Sequence, residues 1–371
     1  SSIDESDKKY EVASWLEDIA ASIKTFKLNS KTEIHVAETD KRVVKYLNER
    51  TSHFRVLVIQ YKTIVAFKVI ITLVMLVIGT YLLVNQQLNI GAFIATEIVV
   101  LTIMAAVEKL IISLESYYDV IAALAKLNKV TDLPEEDFGA IAFENQNSGF
   151  EIEFKEVNFA FNDYQMILEN VNFKIAENSL NVITGSLGAG KSLLLNMMTS
   201  FYEPSSGRIL IDKIPLINVD KISLRNQIGM FLEDMTIIKG TVYENIVLGQ
   251  THISAEQILE TSEQIGIEDF SSQFSNGFFT NISETDTEIS FSSKKKILLL
   301  RALVGERRLL ILEDPLDGMD DAFKVKMREH LSNLKENTTI IVVSEDPEMI
   351  EIADQHLHIE EGTVKILFNK N

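Results

Sequence analysis

The chain has 371 residues, a net charge of −19 and no cysteine. That length accommodates two domains with a large core. The missing thiols exclude disulfides and thiolate metal sites while leaving the redox compartment open, and the acidic balance argues against nucleic acid, whose phosphate backbone is held by cationic surfaces.

The first 30 residues are polar and helix-like, with no signal peptide, and the sequence opens on Ser1 rather than Met, so the protein is expected to begin further upstream. The composition then changes sharply. Residues 64–84 carry one charge, Lys68, and residues 88–107 carry one, Glu97. At a rise of about 1.5 Å per residue each stretch spans roughly 30 Å, enough to cross a bilayer. Residues 85–87 between them are uncharged. Lys41, Arg42, Lys45, Arg50, Arg55 and Lys62 precede the first stretch, and Lys109, Lys126 and Lys129 follow the second. This bias places both flanks in the cytoplasm and the short connection outside. Lys68 is expected to snorkel to the cytoplasmic interface. Glu97 lies mid-span, where a carboxylate either serves a functional site or faces a water-filled cavity.

Residues 131–148 are acidic, contain Pro134 and read as a linker. The spacing of Ile152, Phe154, Val157, Phe159 and Phe161 then predicts short strands. The expected division is a membrane portion at 1–130, a linker at 131–148 and a nucleotide-binding domain at 149–371.

Residues 185–192 read Gly-Ser-Leu-Gly-Ala-Gly-Lys-Ser, a complete phosphate-binding P-loop. Gly185, Gly188 and Gly190 let backbone N–H groups close around phosphate oxygens, with Ser186, Leu187 and Ala189 filling the loop. Lys191 reaches the β- and γ-phosphates, and the Ser192 hydroxyl ligates Mg²⁺. Residues 180–184 are predicted as a buried strand and 191–201 as a helix whose N-terminus faces the anion. The ligand class is a nucleoside triphosphate with Mg²⁺. Such a site needs an acidic partner at the end of another strand. The apolar run 309–312 followed by Glu313 and Asp314 has that form.

With these residues in place, the sequence resembles the ABC exporters, in which membrane helices are fused ahead of an ATPase domain, and the resemblance covers nearly the whole chain. It implies an α-helical membrane segment followed by an α/β P-loop domain with a small antiparallel β subdomain and a helical subdomain. Residues 16–26 resemble the intracellular loop that docks on an ATPase domain. Phe161 falls where the family stacks an aromatic ring on adenine. Residues 240–241 and 244–246 resemble the segment after the family's glutamine loop, and residues 280–284 the loop before its signature. A half-transporter of this type has six membrane helices. The first four are missing here, so an upstream segment or a separate chain is expected to supply them.

The departures from the family pattern carry information of their own. The family's Mg²⁺-touching glutamine corresponds to Glu233, which still offers an oxygen ligand. The signature Leu-Ser-Gly-Gly-Gln corresponds to residues 289–293, Ile-Ser-Phe-Ser-Ser: Ser290 survives, and Phe291 replaces a glycine whose backbone approaches phosphate. The run 294–296, all lysine, reads as a solvated helix face or a compensating charge. The Asp-Glu pair is reversed, with Glu313 suited to Mg²⁺ and Asp314 left as the base, shorter by one C–C bond, about 1.5 Å. The switch histidine corresponds to Glu345, a carboxylate facing a phosphate. Asp320 keeps the final acid of the dimer-contact loop. The resemblance therefore implies a bacterial inner-membrane exporter subunit with its ATPase domain in the cytoplasm. Its ATP would be sandwiched with a second half-transporter subunit, homo- or heterodimeric, to drive a substrate across the lipid bilayer. A pseudo-ATPase that binds nucleotide without hydrolysing it is the alternative. A soluble P-loop kinase or nucleic-acid motor is a third reading, which the apolar stretches and the acidic balance oppose.

Overall fold

The computed structural model describes residues 2–144, 146–161, 166–283 and 289–370. The chain forms two compact units, Ser1–Glu135 and Glu136–Asn371.

The first unit is helical: α1 (Ser2–Ala21), α2 (Ile23–Leu28), α3 (Ile34–Val84) and α4 (Ile90–Thr131). Residues 16–26 straddle α1 and α2, which break at Ser22. The apolar stretches lie inside much longer helices. No Gly or Pro interrupts residues 34–78, so the charged approach to the first stretch stays helical. The second helix begins two residues later than the apolar composition because the Asn89 side chain caps it, accepting from the Ala92 N–H at 2.7 Å. Both helices are long and apolar enough to cross a membrane. They leave Leu73, Val77, Ile94 and Ile98 exposed, which in lipid is not a cost. Nearer the charged flank, α1 packs on α3. There the Trp15 indole donates to Thr39 Oγ1 at 3.0 Å, and the Arg42 guanidinium lies 4.3 Å from the ring centre.

Lys68 lies near the start of the first apolar stretch, and Glu108 just past the end of the second. The Lys68 ammonium donates to the Glu108 carboxylate across the α3–α4 hairpin, and both side chains are about one-third exposed. Removing one partner from a pair in an apolar setting leaves a lone charge, which costs more than removing both. Lys68→Met is expected to destabilise the hairpin by about 2 kcal/mol, with most of the loss recovered in Lys68→Met/Glu108→Met. Thermal unfolding in detergent checks this; a double variant no more stable than the single one contradicts it.

The second unit begins with β1 (Ile152–Ala160), β2 (Met166–Ile175), β3 (Leu180–Gly185) and α5 (Lys191–Met198). Next come β4 (Ser206–Ile211), β5 (Ile214–Pro215), α6 (Lys221–Arg225) and β6 (Ile228–Phe231). A lobe of short helices follows: β7 (Gly240–Thr241), α7 (Val242–Val247), α8 (Ala255–Gln264) and β8 (Asn281–Ile282). The chain closes with α9 (Phe291–Leu303), β9 (Leu309–Glu313), α10 (Asp321–Leu334), β10 (Thr339–Val343), α11 (Pro347–Ile352), β11 (Gln355–Glu360) and β12 (Thr363–Asn369).

The main sheet runs β12-β11-β3-β10-β9-β6, with every pairing parallel except the antiparallel edge strand β12. The continuous apolar runs of β3, β9 and β10 mark strands covered on both faces. Alternation divides them. Leu180, Val182, Leu310, Leu312, Ile340 and Val342 face Ile246 of α7, Ile258 of α8, Leu299 of α9 and Phe323 of α10. Ile183, Leu309, Ile311, Ile341 and Val343 face Leu194 and Leu195 of α5 and the antiparallel sheet β2-β1-β4-β5. Each such side chain contributes about 1.5–3 kcal/mol of burial. This is the α/β domain with an antiparallel β subdomain and a helical subdomain that the sequence predicts. The strands predicted from the 152–161 pattern are one strand with a bulge. Register shifts between Phe154 and Val157, where Glu156 takes φ of 51°, and the three-residue step in the apolar spacing encodes that shift. The helix predicted over 191–201 ends three residues early, at Met198, and Ser200 follows with φ of 60°.

Candidate functional site

The carboxyl ends of β3, β10, β9 and β6 lie side by side, the edge of a parallel sheet where ligands bind. β3 delivers Gly185 and the loop that enters α5 at Lys191. Gly185 has φ of 150°, and a Cβ there would fall 2.4 Å from the Ile359 carbonyl oxygen, so only glycine lets β3 turn off against β11. Within the loop Ala189 is buried, Ser186, Leu187 and Gly188 are exposed, and the Leu187 side chain projects fully into solvent. The Lys191 ammonium folds back onto the carbonyls of Gly185, at 2.5 Å, and Ser186, at 3.1 Å. The α5 N-terminus opens toward the loop with Gly190 at its cap.

β9 brings Glu313 to this loop. One carboxylate oxygen accepts from the Ser192 hydroxyl, and the other accepts from the Glu233 backbone N–H at 3.3 Å. Glu313 is buried and so ties the P-loop to the end of β6. A hydroxyl and a carboxylate in contact are the hard oxygen donors that Mg²⁺ prefers. Among the described residues no three His, Asp or Glu side chains form a cage for a metal. Mg²⁺ carried with phosphates needs only one or two protein carboxylates, so the donor set fits it.

Asp314 sits in the left-handed region, φ 45°, with its N–H donating to the Val343 carbonyl at 2.9 Å. Burial, and after it the Glu233 carboxylate, pushes its carboxyl above the ordinary aspartate range; Lys191 opposes this, and Glu313 and Asp317 add to it. Glu345, two residues past β10, turns its carboxylate onto the Gly185 N–H at 3.0 Å. The structure thus gathers residues 185–192, Glu233, Glu313, Asp314 and Glu345 at one sheet edge.

Phe161 lies just past β1, 60 % exposed, held edge-on by Phe159 and Tyr202 at 5.0 and 5.6 Å between ring centres. Ser290 is the N-cap of α9, accepting from the Ser293 N–H at 3.0 Å, and Phe291 projects from the first helical position, 81 % exposed. Asp320 caps α10, accepting from the Phe323 N–H. Residues 240–241 pair with 281–282, while Glu284, at the end of the 280–284 motif, lies outside the described residues.

Two features escaped the sequence reading. Lys295 is buried, against the expectation of a solvated lysine face. Its ammonium donates to the carbonyls of Asp314, at 2.8 Å, and Asp317, at 2.6 Å. Burial lowers its pKa, while Asp317, Asp314 and Glu233 hold it up. The signal lay in the helical period, since Lys295 shares a face with Leu298, Leu299 and Ala302. The second feature is a buried cluster behind the loop. Thr184 Oγ1 meets His356 Nε2 at 2.8 Å and His358 Nδ1 at 2.9 Å. Alternation along β11 puts both histidines on one face, and its pairing with β3 sets them beside Thr184.

Residues 168–317 match the ABC transporter family. The chain is 27 % identical to the alpha-hemolysin translocation ATP-binding protein HlyB of Escherichia coli O157:H7, over 96 % of this chain and 51 % of that protein. It is 27 % identical to the uncharacterized ABC transporter ATP-binding protein YknV of Bacillus subtilis, over 78 % and 49 %. Against the leukotoxin translocation ATP-binding protein LktB of Mannheimia glucosida the identity is 27 %, over 88 % and 46 %. The chain therefore spans about half the length of the curated relatives it matches. A solved bacterial Atm1-family ABC exporter with ATP bound superposes with a TM-score of 0.86 at 19 % identity, covering 97 % of this chain and 63 % of that one. Over residues 168–317 the chain is therefore similar to ABC transporters, and its fold is that of a solved ABC exporter.

Proposed function

We propose that the chain is part of an ABC-type exporter subunit that binds MgATP and couples nucleotide-driven closure to outward transport across a membrane. The single observation that carries this is the contact of Ser192 with Glu313, which joins an intact P-loop to a strand-end acid. In this reading residues 1–130 are the C-terminal part of the transmembrane domain, 131–148 the linker and 149–371 the ATP-binding domain. Lys191 and the loop amides of 185–192 hold the phosphates, Phe161 stacks on the base, and Ser192, Glu313 and Glu233 face the metal. When bound there, Mg²⁺ would supply charge neutralisation to the phosphates. Ser290 faces the nucleotide of a second half-transporter subunit, homo- or heterodimeric, and the remaining four membrane helices come from an upstream segment or another chain. The ATPase domain lies in the cytoplasm, at a bacterial inner membrane.

A specific observation favours a second reading, a half that binds nucleotide without hydrolysing it. The group corresponding to the switch is a carboxylate seated on the loop's own Gly185 N–H, and the candidate base Asp314 is a short side chain on a pinned backbone. Both readings require binding. Lys191→Ala is expected to weaken MgATP binding by the whole chain in detergent at least about tenfold, because the ammonium is a direct phosphate contact. Unchanged affinity, measured by calorimetry, contradicts both.

A further inference from the structure

We propose that Arg225 is a positioning residue for the base-stacking ring of Phe161, and that Glu136 holds Arg225 in that role. The proposal rests on the nucleotide reading above and names what sets the base end of that same site. Phe161 leans on two rings, Phe159 and Tyr202. Phe159 is buried and so fixed by the core. Tyr202 is 39 % exposed and hangs from the short segment that follows α5. What fixes that segment therefore fixes Tyr202, and the side chain that spans it is Arg225, at the end of α6. Its Nε donates to the Thr199 carbonyl at 3.1 Å and its Nη2 to the Ser200 carbonyl at 3.0 Å. The guanidinium also lies 4.6 Å from the ring centre of Phe201. One planar group thus holds three consecutive residues, among them Ser200, whose φ of 60° costs a residue with a Cβ.

The other side of the same guanidinium belongs to Glu136. Arg225 Nη1 donates to one of its carboxylate oxygens at 2.7 Å and Nη2 to the other at 2.5 Å, a fork that fixes the plane of the guanidinium. Glu136 is the first residue of the second unit and falls inside the segment 131–148 read above as the linker. The chain then runs on along α6: Ile141 bridges to Val219, and the Phe143 N–H donates to the Ser223 hydroxyl at 3.0 Å. A linker carboxylate thus reaches the base platform through a single side chain. The phosphate end has its own support. Leu194, Leu195, Met197 and Met198 of α5 are fully buried, so Lys191 and Ser192 keep their place without Arg225. Loss of the Glu136–Arg225 pair is therefore expected to free the base while the phosphates stay bound.

The test is to titrate the whole chain in detergent into 2-aminopurine riboside triphosphate with Mg²⁺. Fluorescence quenching at saturation reports stacking of the base, and the midpoint reports affinity. Phe161→Ala is expected to abolish most of the quenching and to weaken binding roughly tenfold, the usual worth of an aromatic stack. Arg225→Ala is expected to at least halve the quenching at saturation and to weaken binding about tenfold or less. Glu136→Gln is expected to act in the same direction, about threefold in affinity, and to add nothing in the Arg225→Ala background. If Phe161→Ala lowers the quenching and Arg225→Ala leaves it unchanged, the proposal is overturned and the nucleotide reading stands. Arg225→Ala that folds but no longer binds at all also overturns it, since the arginine would then act on the phosphate loop. If the native chain does not bind, or if Phe161→Ala quenches as fully as the native chain, the reading of the site fails and the proposal fails with it. Should Arg225→Ala not fold, Glu136→Gln decides: reduced quenching supports the proposal, and unchanged quenching overturns it.

Discussion

Replacing Glu345 with His and Asp314 with Glu in the same chain is expected to raise ATP turnover by about two orders of magnitude or more. The Asp314 half of the repair is a matter of reach. The backbone at this position cannot advance to make up for a short side chain. Its N–H is fixed on Val343, its carbonyl is fixed by Lys295, and its φ of 45° is already in the left-handed region. The missing C–C bond therefore appears in full at the carboxylate, and a misplacement of about 1 Å costs on the order of 10²-fold. The Glu345 half concerns charge. A carboxylate next to the developing negative charge repels it, whereas an imidazole donates to it, and one such donor contributes about 10²–10³ in rate. These groups act as a unit, so the two gains are not expected to multiply. Phosphate release by the full assembly, with Lys191→Ala in both backgrounds as the blank, measures the effect. If the native protein already turns over as fast as the repaired one, the reading as a binding-only half is lost.

The sequence made legible what depends on local chemistry. A P-loop announces itself because Gly185, Gly188, Gly190, Lys191 and Ser192 must be adjacent to do their work. Glu313 was legible because an apolar run ending in acids is what a buried strand with a functional tip looks like. What stayed hidden depends on pairing between distant segments. The Glu345 contact with Gly185 needs β10 beside β3, and the Thr184 cluster needs β11 on the other side. Nothing within a window of ten residues contains either. The pairing of Lys68 with Glu108 stayed hidden for the same reason, since it needs α4 beside α3. Lys295 was legible in principle, since its helical face is apolar, but three consecutive lysines read as solvent-facing until the period is applied strictly.

Gly229→Ala is expected to destabilise the second unit by about 3 kcal/mol or more, one of the largest effects a single methyl can have. Gly229 is in β6, paired with Leu310 of β9, and α9 crosses directly above it. A Cβ at this position would lie 2.0 Å from the Ala302 carbonyl oxygen and 3.0 Å from Leu310 Cδ1. The leucine methyl can rotate away, but the carbonyl belongs to the helix backbone and can move only if α9 moves. A shift of roughly 1 Å would open the densely packed core beneath Leu298 and Leu299. It would also strain the Arg301 bond to the Asn245 carbonyl, 2.7 Å long, which ties α9 to α7, and draw the Lys295 ammonium from Asp314 and Asp317. For a domain of this size the expected fall in Tm is about 6–12 °C. The compensating variants separate this cause from side-chain crowding. Leu310→Ala and Ala302→Gly remove side-chain atoms and leave the obstructing oxygen in place, so neither is expected to restore the stability of Gly229→Ala. Recovery in either background, followed by thermal and denaturant unfolding, would place the obstacle in a side chain and show that α9 does not rest on the bare backbone of β6.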